Sequence, residues 1–416
     1  GGAPDVGWFS YAPLSERYYS AHSGVDYWAV SIILMGTGTV GGALNFIVTT
    51  LKYRTKGMSL NRVPLFVWMI FINSFLMLAA FPILNASVFM ILIDRQFDAH
   101  FFTTATGGDA LLWQHLFWSF GHPEVYILAL PAFGIVSEVI PVFSRKPIFG
   151  HNFVAASTVA IALLSMGVWA HHMFAVGMSN PVNAFFAAST VLIAVPTGVK
   201  IFNWSATLWG GSIKLTTSML FALSLLIDFT LGGLSGVGFG LVPIDWRLTD
   251  TYFVVAHIHY VFIGASVAGG LAGAYYWFPK ITGRMLSEKI GKWHFWLFFI
   301  GFNGTFFVMH FMGLLGMSRR VFTYPDLPYY GGMNIFSTTF MVILVTSFIL
   351  FFINVFYSLR KGKPAGNNPW KAWTLEWFTS SPPPTKNFNN IPLVKSRRPL
   401  WDLMNPHDPD WKREKK

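Results

Sequence analysis

Long apolar runs alternate with short polar connections along almost the whole chain. Nine runs, roughly 26–51, 63–93, 111–143, 151–175, 183–209, 215–242, 251–278, 293–315 and 333–359, are long enough to cross a bilayer as helices. A hydrocarbon core about 30 Å thick needs about 20 apolar residues. The runs lack period-two alternation and are rich in Gly, so they predict helices rather than barrel strands. Several exceed the minimum length, which leaves room for tilt. No internal repeat relates them. The pattern predicts an all-α polytopic membrane protein with an external loop at 1–25, a nine-helix core at 26–360 and a polar tail at 361–416.

Composition sharpens this picture. Hydrophobic residues make up 53% of the 416 and charged residues only 11%, too few to cover a soluble globule of this size. Cysteine is absent, so disulfides, zinc–thiolate sites, iron–sulfur clusters and thiolate copper centres are excluded within the chain. A redox metal here must be held by His, Met or carboxylate.

Net charge is +11, and the last 56 residues hold 11 Lys/Arg against 5 Asp/Glu, so +6 of it sits in the tail. That basicity fits a membrane surface, not nucleic acid. Alternate loops differ in the same way. One side carries Lys52, Arg54, Lys56, Arg62, Arg145, Lys146, Lys214, Lys280, Arg284, Lys289 and Lys292. The other carries Arg17, Arg95, Arg247, Arg319 and Arg320. The positive-inside rule makes the first side cytoplasmic, with residues 1–25 outside and the tail inside. Pro382-Pro383-Pro384 and Asn387–Asn390 predict an extended tail laid along partner subunits. Gly1-Gly2-Ala3-Pro4-Asp5 reads as a loop joined midway, with a preceding part expected on this or another chain.

Five of the 12 histidines fall within spans at a similar depth, in the outer half: His122, His171, His172, His257 and His259. One such histidine would be an ordinary packed residue; five at one level in hydrocarbon point to function. His257 and His259 are i,i+2 on a helix, about 200° apart, so their rings project from opposite faces. Each can ligate a large cofactor on its own side, and haem is the natural candidate. His171 and His172 are about 100° apart. With His122 they can converge on one ion and leave a position open, which suits copper, zinc or iron.

Tyr126 stands at i+4 from His122 and so shares its face. A phenol there can supply a proton and an electron. Glu124, at i+2, projects elsewhere; it suits a proton relay or is a buried acid paired with a neighbour. Thr197 and Lys200 share a helix face deep in their span. They read either as a polar lane for protons or as a lysine snorkelling to a helix end. Asp228, in mid-span, reads as an acid hydrogen-bonded to a neighbouring helix, with a relay role as the alternative.

These motifs together resemble subunit I of the haem–copper terminal oxidases, in the oxygen-reducing group with Glu and Tyr on the copper-ligand helix. The segments that carry the resemblance are Trp113–Tyr126, Phe143–Pro147, Trp169–Met173, Pro196–Lys200, Asp250–Tyr260 and Gly316–Arg320. It spans residues 7 to about 360, and Thr374–Trp377 with the Pro run resembles the tail of bacterial members. The resemblance implies a twelve-helix fold of which these nine are the last nine. It implies that His122, His171 and His172 bind the copper called Cu-B. His257 would hold a high-spin, oxygen-binding haem and His259 a low-spin haem. Tyr126 resembles the residue cross-linked to the copper ligand, here His122. Glu124 resembles an internal proton-branching acid, and Thr197 and Lys200 a second proton pathway. Arg319, Arg320 and Trp8 resemble residues around the haem propionates, and Asp250 a ligand of an outer magnesium.

The activity implied is reduction of O2 to water with proton pumping, in a prokaryotic plasma membrane, with cytochrome c or quinol as donor. A subunit II, bearing copper if cytochrome c is the donor, and a subunit III are the implied partners. The sequence departs from the family pattern at Thr249, where a His normally precedes Asp250, at Ile258 and at Ser119; no ligand His is lost. The second low-spin haem ligand and the acid that begins the route to Glu124 belong to helices outside these nine. Competing readings are a nitric oxide reductase with non-haem iron, and a proton channel or haem carrier without turnover. Tyr126 and Glu124 favour the oxygen-reducing group.

Overall fold

The computed structural model describes residues 2–413. Gly1, where the expected external loop starts, and 414–416, at the end of the expected tail, lie outside the described residues. The helices are α1 (Gly24–Lys52), α2 (Leu65–Phe97), α3 (Ala110–Ser144), α4 (His151–Ser165), α5 (Asn180–Leu192), α6 (Ala194–Leu208) and α7 (Thr217–Phe239). They continue as α8 (Val242–Leu248), α9 (Tyr252–Phe262), α10 (Ala268–Thr282), α11 (Glu288–Leu314), α12 (Pro328–Lys361), α13 (Pro399–Met404) and α14 (Asp410–Arg413). Among the described residues nine helical segments are long and apolar enough to cross a membrane. They coincide with the nine runs in the sequence, and the only strand-like pairings are two isolated bridges.

Three spans are not continuous α-helices. The fourth stops at Ser165 and resumes as a 3₁₀ segment, Trp169–Val176. The fifth breaks at Ile193 between α5 and α6. The seventh passes through a π turn, Ile263–Val267, between α9 and α10. The irregular backbone is tolerated because it is enclosed by protein. Prolines 123, 131 and 141 lie within α3. An apolar run reports length and polarity, not these breaks, which neighbouring helices impose.

Local chemistry fixes the starts of the site-bearing helices. Asp109 caps α3 through the Leu111 amide (2.8 Å), and Thr251 caps α9 through Phe253 (3.2 Å). Two acids cap helices in trans: Glu138 accepts from the Phe66 amide at the start of α2, and Glu288 from the Thr217 amide of α7. A helix start must find acceptors for its free amides, and Pro64 ahead of α2 has no side-chain oxygen to offer. The core fills the space between α3, α6, α7, α10 and α11 with Phe133, Trp204, Phe221, Tyr276, Phe298 and Phe302.

The tail packs over this chain's own helix ends. The Trp370 indole donates to the Tyr276 carbonyl (2.8 Å) and that of Trp377 to the Tyr276 hydroxyl (3.1 Å). Lys280 donates to three tail carbonyls, of Asn367, Thr379 and Ser380. The Arg398 guanidinium lies over Trp373 and Trp401 and pairs with Asp410. At the opposite face, buried Arg95 pairs with Asp26 (2.7 Å) and donates to the carbonyls of Ser15, Ser20 and His22, tying the first loop to α2. One of the few basic residues on that side is thus neutralised internally.

Candidate metal centre

α3 contributes His122 and the 3₁₀ segment contributes His171 and His172. One ligand nitrogen from each lies within 4.8 Å of the others. Ring centroids are 4.5 Å apart for His122–His171, 5.6 Å for His122–His172 and 4.4 Å for His171–His172. The expected convergence is present, but its geometry is not that of an α-helix. The 100° separation assumed for His171 and His172 gives way to a 3₁₀ segment with about 3 residues per turn.

The surrounding groups decide which nitrogen of each ring is free. Thr190 donates its hydroxyl to the Phe186 carbonyl (2.6 Å), so its oxygen accepts from His171 Nδ1 (2.8 Å). The Nε2 lone pair of His171 then faces the cluster. His172 is held by stacking on Trp118, at 4.0 Å and 12°. Both nitrogens of His122 and Nε2 of His172 are buried without a partner among the described residues. Three imidazoles with nitrogens left free, and no sulfur ligand, form a donor set that fits copper, zinc or iron. Tyr126 meets His122 edge-on, with centroids 4.9 Å apart.

His257 and His259 diverge as the i,i+2 spacing predicts. His257 turns to α7: its Nδ1 lies 3.0 Å from the Gly232 carbonyl and 2.9 Å from the Ser235 hydroxyl. A carbonyl only accepts, so Nδ1 carries the proton and Nε2 is left to ligate. The close approach needs glycine, since a Cβ on Gly232 would sit 2.8 Å from Val261 and one on Gly236 2.9 Å from the His257 ring. His259 faces α11, stacked on Phe306 at 4.0 Å, with Nδ1 on its own Val255 carbonyl at 2.7 Å. The two rings therefore diverge to opposite sides of α9. Of the pair, His257 is the one in Coulombic reach of His171 and His172.

The other expected residues are dispersed. Glu124 is half-buried and makes no hydrogen bond or ion pair among the described residues, so the paired-acid alternative is not realised. Lys200 does not snorkel. It is fully buried and donates to Thr158 Oγ1 (2.5 Å) and the Val154 carbonyl (3.1 Å) of α4. Thr197 bonds back to the Ile193 carbonyl at 2.9 Å.

Asp250 faces Arg319, which donates to one of its oxygens at 2.9 and 2.7 Å, and no cluster of three ligands forms around it among the described residues. Arg320 lies 4.1 Å above the Phe9 ring, and Trp8 packs edge-on against Phe9, Phe117 and Trp118. Arg319, Arg320 and Trp8 thus gather above the histidines. Beside them, burial and the Asp250 carboxylate push Asp245 up to about 7, against the pull of Arg319.

Sequence reasoning missed Thr190, Ser235, Gly232 and Thr158, which orient the ligand rings and Lys200. Each sits on a different helix from the residue it serves, so no spacing could reveal it. Trp118 lies inside the segment already singled out, but its stacking on His172 is a tertiary contact.

Fold and site together define a multi-pass membrane protein with three clustered imidazoles that could hold a metal ion and two further, divergent histidines. The family described as "Cytochrome C and Quinol oxidase polypeptide I" matches residues 1–349. The chain is 49% identical to cytochrome c oxidase subunit 1 of Bacillus sp. strain PS3 over 404 residues, 96% of this chain and 65% of that protein. It is 50% identical to a probable cytochrome c oxidase subunit 1-beta of Nocardia farcinica, over 98% of this chain and 69% of that protein. A heme-copper terminal oxidase dimer solved by cryo-EM shares the fold, with TM-score 0.71 and 19% identity over 86% of this chain and 65% of that chain. This chain belongs to the family of cytochrome c and quinol oxidase polypeptide I. It spans about two thirds of the length of these relatives. Haem and copper are the cofactors the family implies, and the free imidazole nitrogens fit them.

Proposed function

We propose that this chain is the catalytic subunit of a terminal respiratory oxidase that reduces O2 to water and couples the reaction to proton translocation. The observation that carries the reading is the cluster of His122, His171 and His172 with unpartnered nitrogens, with Tyr126 against His122. His122, His171 and His172 would hold copper, His257 a high-spin haem and His259 a low-spin haem. When bound, the high-spin haem and the copper would supply three of the four electrons of the reduction, leaving one electron and a proton to come from beside them. Tyr126 supplies those from its phenol. Glu124, free of any partner that would fix its proton, accepts and passes protons toward the centre. Lys200, with Thr158 and Thr197 nearby, carries a second proton lane from the tail side. Arg319, Arg320 and Trp8 bind the propionates. Asp250 is placed to join a magnesium site only if it exchanges its bond to Arg319 for a metal.

The donor would be cytochrome c, through a copper-bearing subunit II, or quinol. A subunit III and a prokaryotic plasma membrane, with the basic tail in the cytoplasm, complete the assignment. The tyrosine beside His122 favours oxygen over nitric oxide as substrate. The test is metal analysis and oxygen uptake by the purified complex: copper and two haems per chain with uptake inhibited by cyanide are expected. Non-haem iron in place of copper, with nitric oxide consumed, would contradict it.

A further inference from the structure

Glu138 and Glu288 cap helix starts. Asp228 caps none and, as the first of its two sequence readings expects, is hydrogen-bonded to a neighbouring helix. It lies in the middle of α7, fully buried, one turn from Gly232. Its Oδ2 accepts from Ser224 Oγ (2.7 Å) and its Oδ1 from Asn303 Nδ2 of α11 (3.1 Å). Asn303 in turn accepts the Tyr260 hydroxyl on Oδ1 at 2.7 Å. Tyr260 follows His259 directly on α9, so three hydrogen bonds lead from Ser224 through the carboxyl to the residue beside a haem ligand. Behind it the π turn closes in: a Cβ on Gly264 would meet that of Asp228 at 2.9 Å.

Among the described residues no cation reaches this carboxyl. α7 gives it the neutral Ser224, α11 the neutral Asn303 and the π turn a glycine. The one titratable group facing it is the Tyr260 phenol of α9, and no charged side chain of α3, α6, α8 or α10 interacts with it. Its two hydrogen bonds are enough to hold a carboxyl in place, yet they leave a full negative charge without compensation in a low-dielectric interior. Such a group responds strongly to any change of charge nearby. A haem iron on His259 gains or loses one unit of charge with each electron.

We propose that Asp228 is a positioning acid whose proton follows the electron on the haem held by His259. The inference rests on the proposed function, because it needs a low-spin haem at that residue. When the donor's electron reduces the ferric iron by one unit, one proton from the aqueous phase bonds to the Asp228 carboxylate. Reoxidation of the iron releases it, and no other bond changes. By linkage the effect is reciprocal: a protonated Asp228 makes the haem easier to reduce. The Asn303 amide ties the carboxyl to Tyr260, the residue after His259, across the packing of α7, α9 and α11.

The test uses the purified oxidase complex that contains this chain, with the low-spin haem titrated by visible absorbance at several pH values. Reduced-minus-oxidised infrared spectra are recorded with and without ¹³C-labelled aspartate. In the wild type the potential should fall as pH rises, and reduction should add an aspartate carboxylic C=O band that moves on labelling. Asp228→Asn should lose that band and the part of the pH dependence it accounts for, with the six-coordinate haem spectrum unchanged. An aspartate band absent from the wild type, or a band and pH slope surviving in Asp228→Asn, would overturn the proposal. If Asp228→Asn does not assemble, Ser224→Ala serves instead: loss of the hydroxyl must shift the labelled band, and an unshifted band overturns the assignment. A normal two-haem spectrum with no linked carboxyl sinks this inference alone. A complex without a low-spin haem sinks the proposed function and this inference with it.

Discussion

At the histidine centre, three buried imidazole nitrogens have no partner: both of His122 and Nε2 of His172. At the tail clasp, the charged heads are enclosed by partners: Lys280 by three carbonyls, and Arg398 by two indoles and the Asp410 carboxylate. Both regions bury polar groups in a largely apolar protein. An unsatisfied buried group costs about 1–3 kcal/mol, so three within one cluster are a sizeable fraction of a typical fold's net stability. The clasp's charged heads need no addition to be satisfied, though the Trp401 indole N–H beside them has no partner among the described residues, whereas the centre's nitrogens become satisfied only when something ligates them. What sets the centre apart is that unpartnered nitrogens from neighbouring rings lie close enough to share one ion.

The strongest way to break the comparison is to remove a ligand. His171→Ala or His172→Ala should abolish copper binding and oxygen reduction while leaving the low-spin haem spectrum, because His259 lies on the other side of α9. Full copper occupancy in either variant would show that the rings are packing residues. A smaller effect, still large, is expected at Glu124→Gln. The amide cannot ionise, so turnover should fall by about 10²-fold or more, the scale of a lost general acid–base, with metal content intact. Unchanged oxygen uptake and pumping would make Glu124 a spectator.

The clasp should respond in the opposite sense. Arg398→Ala leaves Asp410 without its cation and should loosen the tail's own fold by about 1.5–3 kcal/mol, read as faster proteolysis of the tail, with copper content unchanged. Loss of copper in that variant would mean that the two regions are coupled.

The weakest effect concerns Asp245, half-buried at the face opposite the tail. Its folded-state value is raised to about 7, so between its ordinary value and 7 the folded protein holds a proton that the unfolded chain has lost. Stability of that loop should therefore fall as pH rises toward 7 and level off above it. Hydrogen exchange around α8 measures this, and Asp245→Asn should flatten the profile.

The spans were legible because hydrocarbon imposes one requirement on every residue in them, and nine apolar runs became nine spans. The histidine pair on α9 was legible because both partners lie on one helix, where spacing fixes direction. The breaks at Gly167, Ile193 and the π turn were not, since a run of apolar residues reads alike whether the backbone is regular or not. Lys200 illustrates the limit. Its sequence position allowed burial or snorkelling, and the choice rests with Thr158 on a different helix. In the tail, Pro and Asn suggest extension, and the docking by Trp370 and Trp377 on Tyr276 is a tertiary contact that no spacing announces.

X-ray absorption at the copper edge of the purified complex tests the central claim most directly. The account predicts three imidazole nitrogens at about 2.0 Å, the usual length for a His–metal bond, falling to two in His172→Ala if any copper remains. A wild-type copper site with fewer than three imidazoles would contradict the assignment of His122, His171 and His172 as one metal centre.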